Sequence, residues 1–444
     1  MRKAYFATFA AAAVLGLVVS WSLTAPTPSV AANSETYRQL NLFGEIFERI
    51  RSDYVSETED EVLIEDAIRG MLAGLDPHSS YLTTRAFSEM QIQTRGEYGG
   101  LGLEVTFDQE MGAVRVVSPM DDTPGDRAGI LSNDRITHID GTTIQGMTLT
   151  EAIDLMRGAP NTDLTISIWR EGVEPFDIDI TREIIELQAV RSRLEGEEQN
   201  VGYIRVTTFS ERAGDGVRRA IRELRSEADV PLAGYILDLR NNPGGLLDQA
   251  IAVSDAFLDG GEVVSTRGRY PEDTQRYNAR RGDPSDDANV IVLINGGSAS
   301  ASEIVAGAIQ DHARGTVVGT TSFGKGSVQT IVPLSGGTNG ALRLTTSRYY
   351  TPAGRSIQAV GIEPDIEVFP AGTVRPRMTE ADLPGHLTNE VEEETANDAA
   401  TEETAEVEEM EIPLDEDGNP RDLQLEHAID MLNGGTETGQ LIRG

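Results

Sequence analysis

Cysteine is absent from the 444 residues, and histidine is scarce. Without cysteine the chain has no thiol nucleophile, no disulfide bond, no thiolate ligand for a metal and no lipoprotein-type lipid anchor. The five histidines are scattered, and none shows the HExxH spacing of a zinc site. The sequence therefore predicts no metal site, and thiol chemistry is excluded.

Positive charge is also in short supply. The formal net charge is −36, which argues against nucleic acid as a partner because the chain would repel phosphate. Half of this charge is local, since residues 378 to 444 contain 20 acidic and 2 basic residues. Such a composition, low in apolar residues, predicts an acidic and mostly disordered tail, with a short helix returning at Leu423–Leu432.

Lysine is the rarest of the basic residues, with Lys3 and Lys325 against thirty-five arginines. Arginine keeps its proton at neutral pH, whereas a buried lysine can lose its proton and act as a general base. Lys325 lies between Gly324 and Gly326. It is a candidate base, although chance in an arginine-biased composition explains its position equally well without further context.

A candidate nucleophile follows the apolar run 290–294, which predicts a buried strand entering the Gly296-Gly297 turn. The next apolar residues have helical spacing: Ile304, Val305, Ala308 and Ile309. Ser300 therefore lies at a strand-to-helix turn, where N–H groups of the helix N-terminus can stabilise an oxyanion. Ser298 and Ser302 are the alternatives, with expected roles in the turn and as a helix cap.

Three motifs are similar to those of the carboxyl-terminal processing, or tail-specific, serine proteases. They are Gly297-Ser298-Ala299-Ser300-Ala301-Ser302-Glu303, Phe323-Gly324-Lys325-Gly326-Ser327-Val328-Gln329 and Arg240-Asn241-Asn242-Pro243-Gly244-Gly245. The resemblance implies that Ser300 attacks the substrate, that Lys325 is the base and that Gln329 orients the lysine. In a straight strand Lys325 and Gln329 would lie ~13 Å apart, so their contact would require a local turn.

The same resemblance implies an oxyanion hole and a fold. The N–H of Ala301 would pair with one from the Gly244-Gly245 turn, and the choice between the two glycines stays open. The implied fold class is α/β: a crotonase/ClpP-like ββα protease core with an inserted PDZ domain and an N-terminal helical segment. Acylation of Ser300 followed by hydrolysis requires no cofactor.

Residues 96 to 182 resemble a PDZ domain. Gly99-Gly100-Leu101-Gly102-Leu103 matches the carboxylate-binding loop, and the helix is expected at residues 150 to 157. Successive N–H groups of Leu101, Gly102 and Leu103 could hold a C-terminal carboxylate while a strand edge pairs with the peptide.

Five regions are predicted along the chain. They are a signal peptide or membrane anchor (1 to 32), a helical segment (36 to 95), the PDZ domain (96 to 182), the protease core (183 to 372) and the acidic tail (378 to 444). The positive start Met1-Arg2-Lys3, a long apolar run and the small residues Val30-Ala31-Ala32 indicate an export signal. An uncleaved inner-membrane anchor is the alternative.

These features predict an exported, periplasmic serine endopeptidase that recognises exposed C-termini of proteins or peptides. The resemblance further suggests a homo-oligomer and a helical-repeat adaptor, and membrane contact only through the N-terminal segment. The main alternative is a non-catalytic PDZ-based scaffold of the cell envelope. A P-loop ending at Lys325 lacks the Ser/Thr that contacts magnesium, and His312 would lie ~18 Å from Ser300 along one helix.

Overall fold

A computed structural model describes residues 34–370, 378–389 and 421–434 of the chain. The predicted signal or anchor, residues 1 to 32, lies outside the described residues. Within them, no helix is long and apolar enough to cross a membrane. The chain divides into two units, Met1–Gly70 and Met71–Gly444.

The described part of the first unit is helical, as the i, i+3, i+4 spacing of its apolar residues predicts. Helix α1 is Ser34–Asp53, and helix α2, Asp60–Ala73, extends three residues into the second unit. The apolar side chains of α1 remain largely exposed, among them Leu40, Phe43 and Ile46.

The second unit is built around a six-stranded sheet. Its strands, in spatial order, are β10 (Val190–Glu195), β11 (Val201–Val206), β12 (Gly234–Asp238), β15 (Asn289–Ile294), β16 (Thr316–Gly319) and β19 (Ile366–Glu367). The pairs from β11 to β19 are parallel, and β10 is antiparallel to β11. Both faces of the parallel strands carry apolar side chains, which is why these strands are almost uninterrupted apolar runs.

Helices cover both faces of this sheet. On one face lie α6 (Ala213–Glu227), α7 (Leu247–Ser254) and α8 (Ala301–Asp311), which share the largest apolar core with alternate strand residues. The other face packs against α9 (Leu423–Leu432) through Leu425 and Ala428. The helix predicted at these positions is therefore present, as part of a core.

An antiparallel sheet of five strands adjoins this layer. Its strands are β1 (Ser80–Leu82), β13 (Gly261–Gly268), β14 (Gln275–Ala279), β17 (Ser327–Pro333) and β18 (Ala341–Tyr350). Short 3₁₀ turns occur at Pro271–Asp273, Leu334–Gly337 and Glu380–Asp382. Strand β17 begins two residues after Lys325 and therefore brings the candidate base to the edge of the core.

The PDZ region forms its own sheet and apolar core. Its strands are β3 (Leu103–Asp108), β4 (Ala113–Pro119), β5 (Arg135–Ile139), β6 (Thr142–Thr143), β7 (Asp163–Trp169) and β8 (Phe176–Thr181). Its helices are α4 (Pro124–Arg127) and α5 (Leu149–Met156), the latter one residue from the predicted position. Helix α3 (Thr84–Arg95) leads into a ribbon of β2 (Glu97–Gly100) and β9 (Glu183–Glu186), through which the chain enters and leaves this region.

Candidate active site

Ser300 lies at the turn between strand β15 and helix α8, as the sequence predicts. It is the residue that precedes the helix, with φ 54° and ψ −111°, and it is 7% exposed. A residue other than glycine in this left-handed region costs roughly 1–3 kcal/mol and occurs most often at functional sites. The strained turn presents the Ser300 hydroxyl beside the first N–H groups of α8.

The two neighbouring serines have structural partners. The Ser298 hydroxyl donates to Leu239 O at 2.9 Å and accepts from Asn295 N, so its predicted role in the turn is confirmed. Ser302 is the second residue of α8 and donates to Asn242 O at 2.9 Å. Its expected role as a helix cap is wrong, because the helix begins at Ala301 and Ser300 occupies the cap position.

Glu303 connects the candidate nucleophile to the candidate base. One oxygen of its carboxylate accepts from Ser300 N at 2.6 Å and from Lys325 N at 2.9 Å. The other accepts from Ser322 Oγ at 2.6 Å and Gly324 N at 2.7 Å. Two backbone nitrogens that share one oxygen must be neighbours, so Ser300 and Lys325, twenty-five positions apart, lie side by side.

The charge state of Glu303 reflects two opposing effects. Burial raises the pKa of this fully buried carboxyl to about 7. Its four hydrogen-bond donors oppose the rise, because all of them bond to the charged form. A carboxylate is the one side chain of this size that can accept all four bonds at once.

Lys325 is a partly buried lysine whose backbone is tightly held. Burial lowers the pKa of its ammonium, and the nearby Arg343 lowers it further, whereas Glu380, Glu303 and Asp76 oppose the shift. In the described part of the chain its side chain has no ion pair and no hydrogen bond to Ser300. Hydrogen bonds between catalytic groups are often long without substrate and tighten when it binds.

Gln329 lies in strand β17 and not in a turn, with a register irregularity between Val328 and Gln329. Its amide donates to Ser327 Oγ at 2.9 Å and to Thr345 Oγ1 at 3.3 Å. Within the described residues it makes no hydrogen bond to Lys325. Its expected role in orienting the lysine therefore stays a prediction.

The glycine turn predicted for the oxyanion hole packs directly against Ser300 and Ala301. Gly244 has φ 102°, and a Cβ at this position would lie 2.9 Å from Ala301 N and 2.9 Å from Ser300 Cβ, so only glycine fits. Gly244 N donates to Asn242 Oδ1 at 2.9 Å. Neither Ala301 N nor Gly245 N donates to any residue that the structure describes. Both N–H groups are therefore candidates for the oxyanion hole.

In the loop predicted to bind carboxylates, one glycine adopts a left-handed backbone conformation. Gly102 has φ 72°, and a Cβ there would collide with Thr123 at 2.3 Å. The carbonyl oxygens of Leu101 and Gly102 accept from Gly125 N and Met120 N, each at 2.8 Å. The N–H groups of Leu101 and Gly102 have no acceptor among residues 34–370, 378–389 and 421–434, and Leu103 begins strand β3.

Sequence reasoning missed two groups of residues around this site. Glu303 could have been found, because Ser300 and Glu303 have the S-x-x-E spacing of a capping box. The second group consists of contacts between residues that are far apart in the chain. Arg240, which also pairs with its near neighbour Asp238, pairs with Asp422 at 2.7 Å, and Glu380 contacts His78 at 2.8 Å. No local pattern predicts these contacts.

The competing sites do not form. Lys325 is followed by strand β17, whereas a phosphate-binding loop requires a helix at that point. His312 ends helix α8, and its Nε2 lies 2.7 Å from Glu262 O. Asp311 accepts from Ala353 N and Arg355 and so stabilises the fold. The described residues contain no cluster of side chains that could hold a metal ion.

Comparison with known proteins identifies the family. Residues 200–368 match the model of peptidase family S41, residues 115–170 match a PDZ domain and residues 11–86 match the N-terminal domain of the activating protease CtpB. The chain is 49% identical to the carboxy-terminal-processing protease of Bartonella bacilliformis over 431 residues, 95% of each chain. The chain belongs to peptidase family S41, among the carboxy-terminal-processing proteases.

Other members of the family match over shorter lengths. The carboxyl-terminal-processing protease of Synechocystis is 39% identical over 304 residues, 67% of this chain and 69% of that relative. The solved photosystem II D1 C-terminal processing protease is 30% identical and covers 74% of this chain and 92% of its own, with a TM-score of 0.42. Membership in family S41 supports a serine-type peptidase and confirms the predicted class of fold.

Proposed function

We propose that this S41 peptidase is an exported endopeptidase that cleaves with Ser300 as nucleophile and Lys325 as general base. The observation that carries the proposal is the shared carboxylate of Glu303, which bonds to the backbone of both residues at 2.6 and 2.9 Å. A nucleophile and its base must lie within hydrogen-bond reach of each other in the complex with substrate.

The reaction follows from these groups. Lys325, which burial makes more readily neutral, accepts the Ser300 proton as Oγ attacks the scissile carbonyl. Ala301 N and Gly245 N donate to the oxyanion, and the departing amine takes the proton back from the lysine as the acyl-enzyme forms. Water then attacks the ester with the help of the neutral lysine and releases Ser300.

Substrate selection is assigned to the PDZ domain. The free N–H groups of Leu101 and Gly102, with that of Leu103, would hold the terminal carboxylate of a protein or peptide. Export to the periplasm, with or without a retained anchor, is proposed from the N-terminal sequence. A homo-oligomer is also proposed, supported by the exposed apolar side chains of helix α1, such as Leu40 and Phe43. The helical-repeat adaptor rests on family resemblance alone.

Proteolysis by matched variants tests the mechanism. Ser300→Ala should lose ~10⁴-fold or more in activity on a tailed peptide while its circular dichroism and unfolding midpoint stay close to the wild type. Lys325→Arg should be as inactive as Lys325→Ala, because guanidinium keeps its proton. Ser226→Ala, which removes the hydroxyl of an exposed serine on helix α6, is the control for the nucleophile. Strong activity in purified Ser300→Ala or Lys325→Arg would disprove the mechanism.

A further inference from the structure

Three consecutive N–H groups around Lys325 are each held by a side chain. Gly324 N and Lys325 N donate to Glu303 at 2.7 and 2.9 Å, and Gly326 N donates to Gln358 Oε1 at 3.1 Å. Glu303 and Gln358 are both fully buried. Gln358 therefore fixes the main chain just after Lys325, as Glu303 fixes it at Gly324 and Lys325.

Gln358 is itself fixed by a segment that the sequence assigns to the acidic tail. Its side-chain amide donates to Glu380 Oε1 at 2.9 Å and to Leu387 O at 3.0 Å. Its main-chain carbonyl oxygen accepts from Asn389 Nδ2 at 3.0 Å. The backbone of Glu380 also donates to Phe323 O at 2.9 Å. Segment 378–389 is thus connected to the loop of Lys325 directly at Phe323 and, through Gln358, at Gly326.

Glu380 is a buried carboxylate with a partner of its own. His78 Nε2 lies 2.8 and 3.0 Å from its two oxygens, and the Glu380 side chain is only 1% exposed. Burial would raise the pKa of Glu380, but the bonds from His78 and Gln358 keep it below its ordinary value. A buried carboxylate is costly unless it is hydrogen bonded, so its bonds to His78 and Gln358 are part of the folded structure. Glu380 is therefore not an ordinary solvated surface charge.

We propose that Glu380 is a positioning residue for peptide-bond cleavage: through Gln358 it fixes the backbone of the loop that carries Lys325, while His78 holds Glu380 in place. The inference rests on the proposed Ser300–Lys325 mechanism. Its physical basis is that reacting groups must be held closely, since a displacement of about 1 Å can cost ~10²-fold in rate.

The charge of Glu380 gives the inference a second measurable consequence. Charged groups on four elements face Lys325: Glu303 on α8, Arg343 on β18, Asp76 after α2 and Glu380 on segment 378–389. Removing the Glu380 charge removes one of the anions that favour the ammonium form, so the pKa of Lys325 should fall. Activity that requires neutral lysine would then begin at lower pH.

Steady-state kinetics of the full chain on a tailed peptide, measured across pH, tests this role. We expect Glu380→Ala to lower kcat by ~10²-fold with little change in KM, because the residue contacts the loop of the base. Glu380→Gln keeps an oxygen for Gln358, so it should keep most of kcat while its acidic limb moves to lower pH. Glu363→Gln changes an exposed glutamate in the same way and should match the wild type.

Two results for the Glu380→Ala variant would contradict the positioning role of Glu380. A folded Glu380→Ala protein with wild-type kcat, or one whose lost activity comes from a raised KM, overturns the inference. If Glu380→Ala does not fold, the pH limb of Glu380→Gln decides: a shift to lower pH supports the role, and an unmoved limb overturns it. Ser300→Ala, assayed alongside, separates the two proposals, because its activity would refute the dyad whatever the Glu380 variants do.

Discussion

At the scale of single residues, the site depends on a side chain that performs no chemistry. Glu303 accepts four hydrogen bonds, two on each oxygen, from Ser300, Ser322, Gly324 and Lys325. Three of these donors are backbone N–H groups, so Glu303 controls the path of the main chain at both catalytic candidates. Glu303 therefore contributes to the site by holding the backbone of Ser300 and Lys325 in place before any proton is transferred.

Glu303→Gln should therefore be far from conservative. Whichever way the amide is turned, its NH₂ group faces two donors, and each buried donor without an acceptor costs about 1–3 kcal/mol. We expect a lower free energy of unfolding in urea and a large loss of kcat. Glu363→Gln is the control with the same chemical change at an exposed position. Equal stability of the two variants would contradict this account.

At the scale of elements, helix α9 completes the core from the far end of the chain. Asp422 caps the helix by accepting from Leu425 N at 3.1 Å, and it also pairs with Arg240 at 2.7 and 2.8 Å. Arg240 is 9% exposed and opens the turn that carries Gly244. One carboxylate thus caps the start of the helix and connects it to the turn that carries Gly244.

Asp422→Ala should destabilise the protein by about 1–3 kcal/mol, because it removes both a cap and an acceptor for a buried guanidinium. Asp430→Ala, at an exposed position of the same helix, should unfold close to the wild type. Midpoints of urea unfolding measure the difference. Identical midpoints for the two variants would show that α9 is not held through Asp422.

At the scale of the whole molecule, the PDZ domain joins the core through the β2–β9 ribbon. Glu97 and Glu186 are direct cross-strand neighbours in that ribbon, and Arg212 of the core pairs with both. Like charges opposite each other are unfavourable, so Arg212 both offsets their repulsion and fixes the ribbon to the core. This gives the PDZ domain a defined connection through which peptide binding could affect cleavage.

Amidating the C-terminus of a tailed substrate should lower kcat/KM by roughly 5- to 150-fold, the usual range of coupling between two sites. The reason is the loss of the carboxylate that the N–H groups of Leu101 to Leu103 would bind. A short peptide with the same cleavage site and no tail is the control and should be insensitive to amidation. Equal cleavage of free-acid and amidated tailed peptides would argue against recognition at this loop.

The sequence alone determined most of the secondary structure and pointed to the two candidate catalytic residues. Short apolar runs bounded by turn residues, such as 290–294, indicate buried strands, and Ser300 and Lys325 lie in short motifs whose neighbours are small. Helix α9 occupies Leu423–Leu432, as the sequence predicts. These features are local, because backbone conformation and periodic burial depend on residues within a few positions of each other.

Only the tertiary structure decided what surrounds the two residues. His78 and Glu380 are 302 positions apart, and Arg240 and Asp422 are 182 apart, so no local periodicity relates them. Composition placed Glu380 and Asp422 in an acidic tail, where carboxylates are usually solvated. In the structure Glu380 is buried, and the partly exposed Asp422 pairs with Arg240. Whether a carboxylate is solvated or buried depends on the donors that the folded chain brings to it, and those donors are fixed only when distant strands and loops pack together.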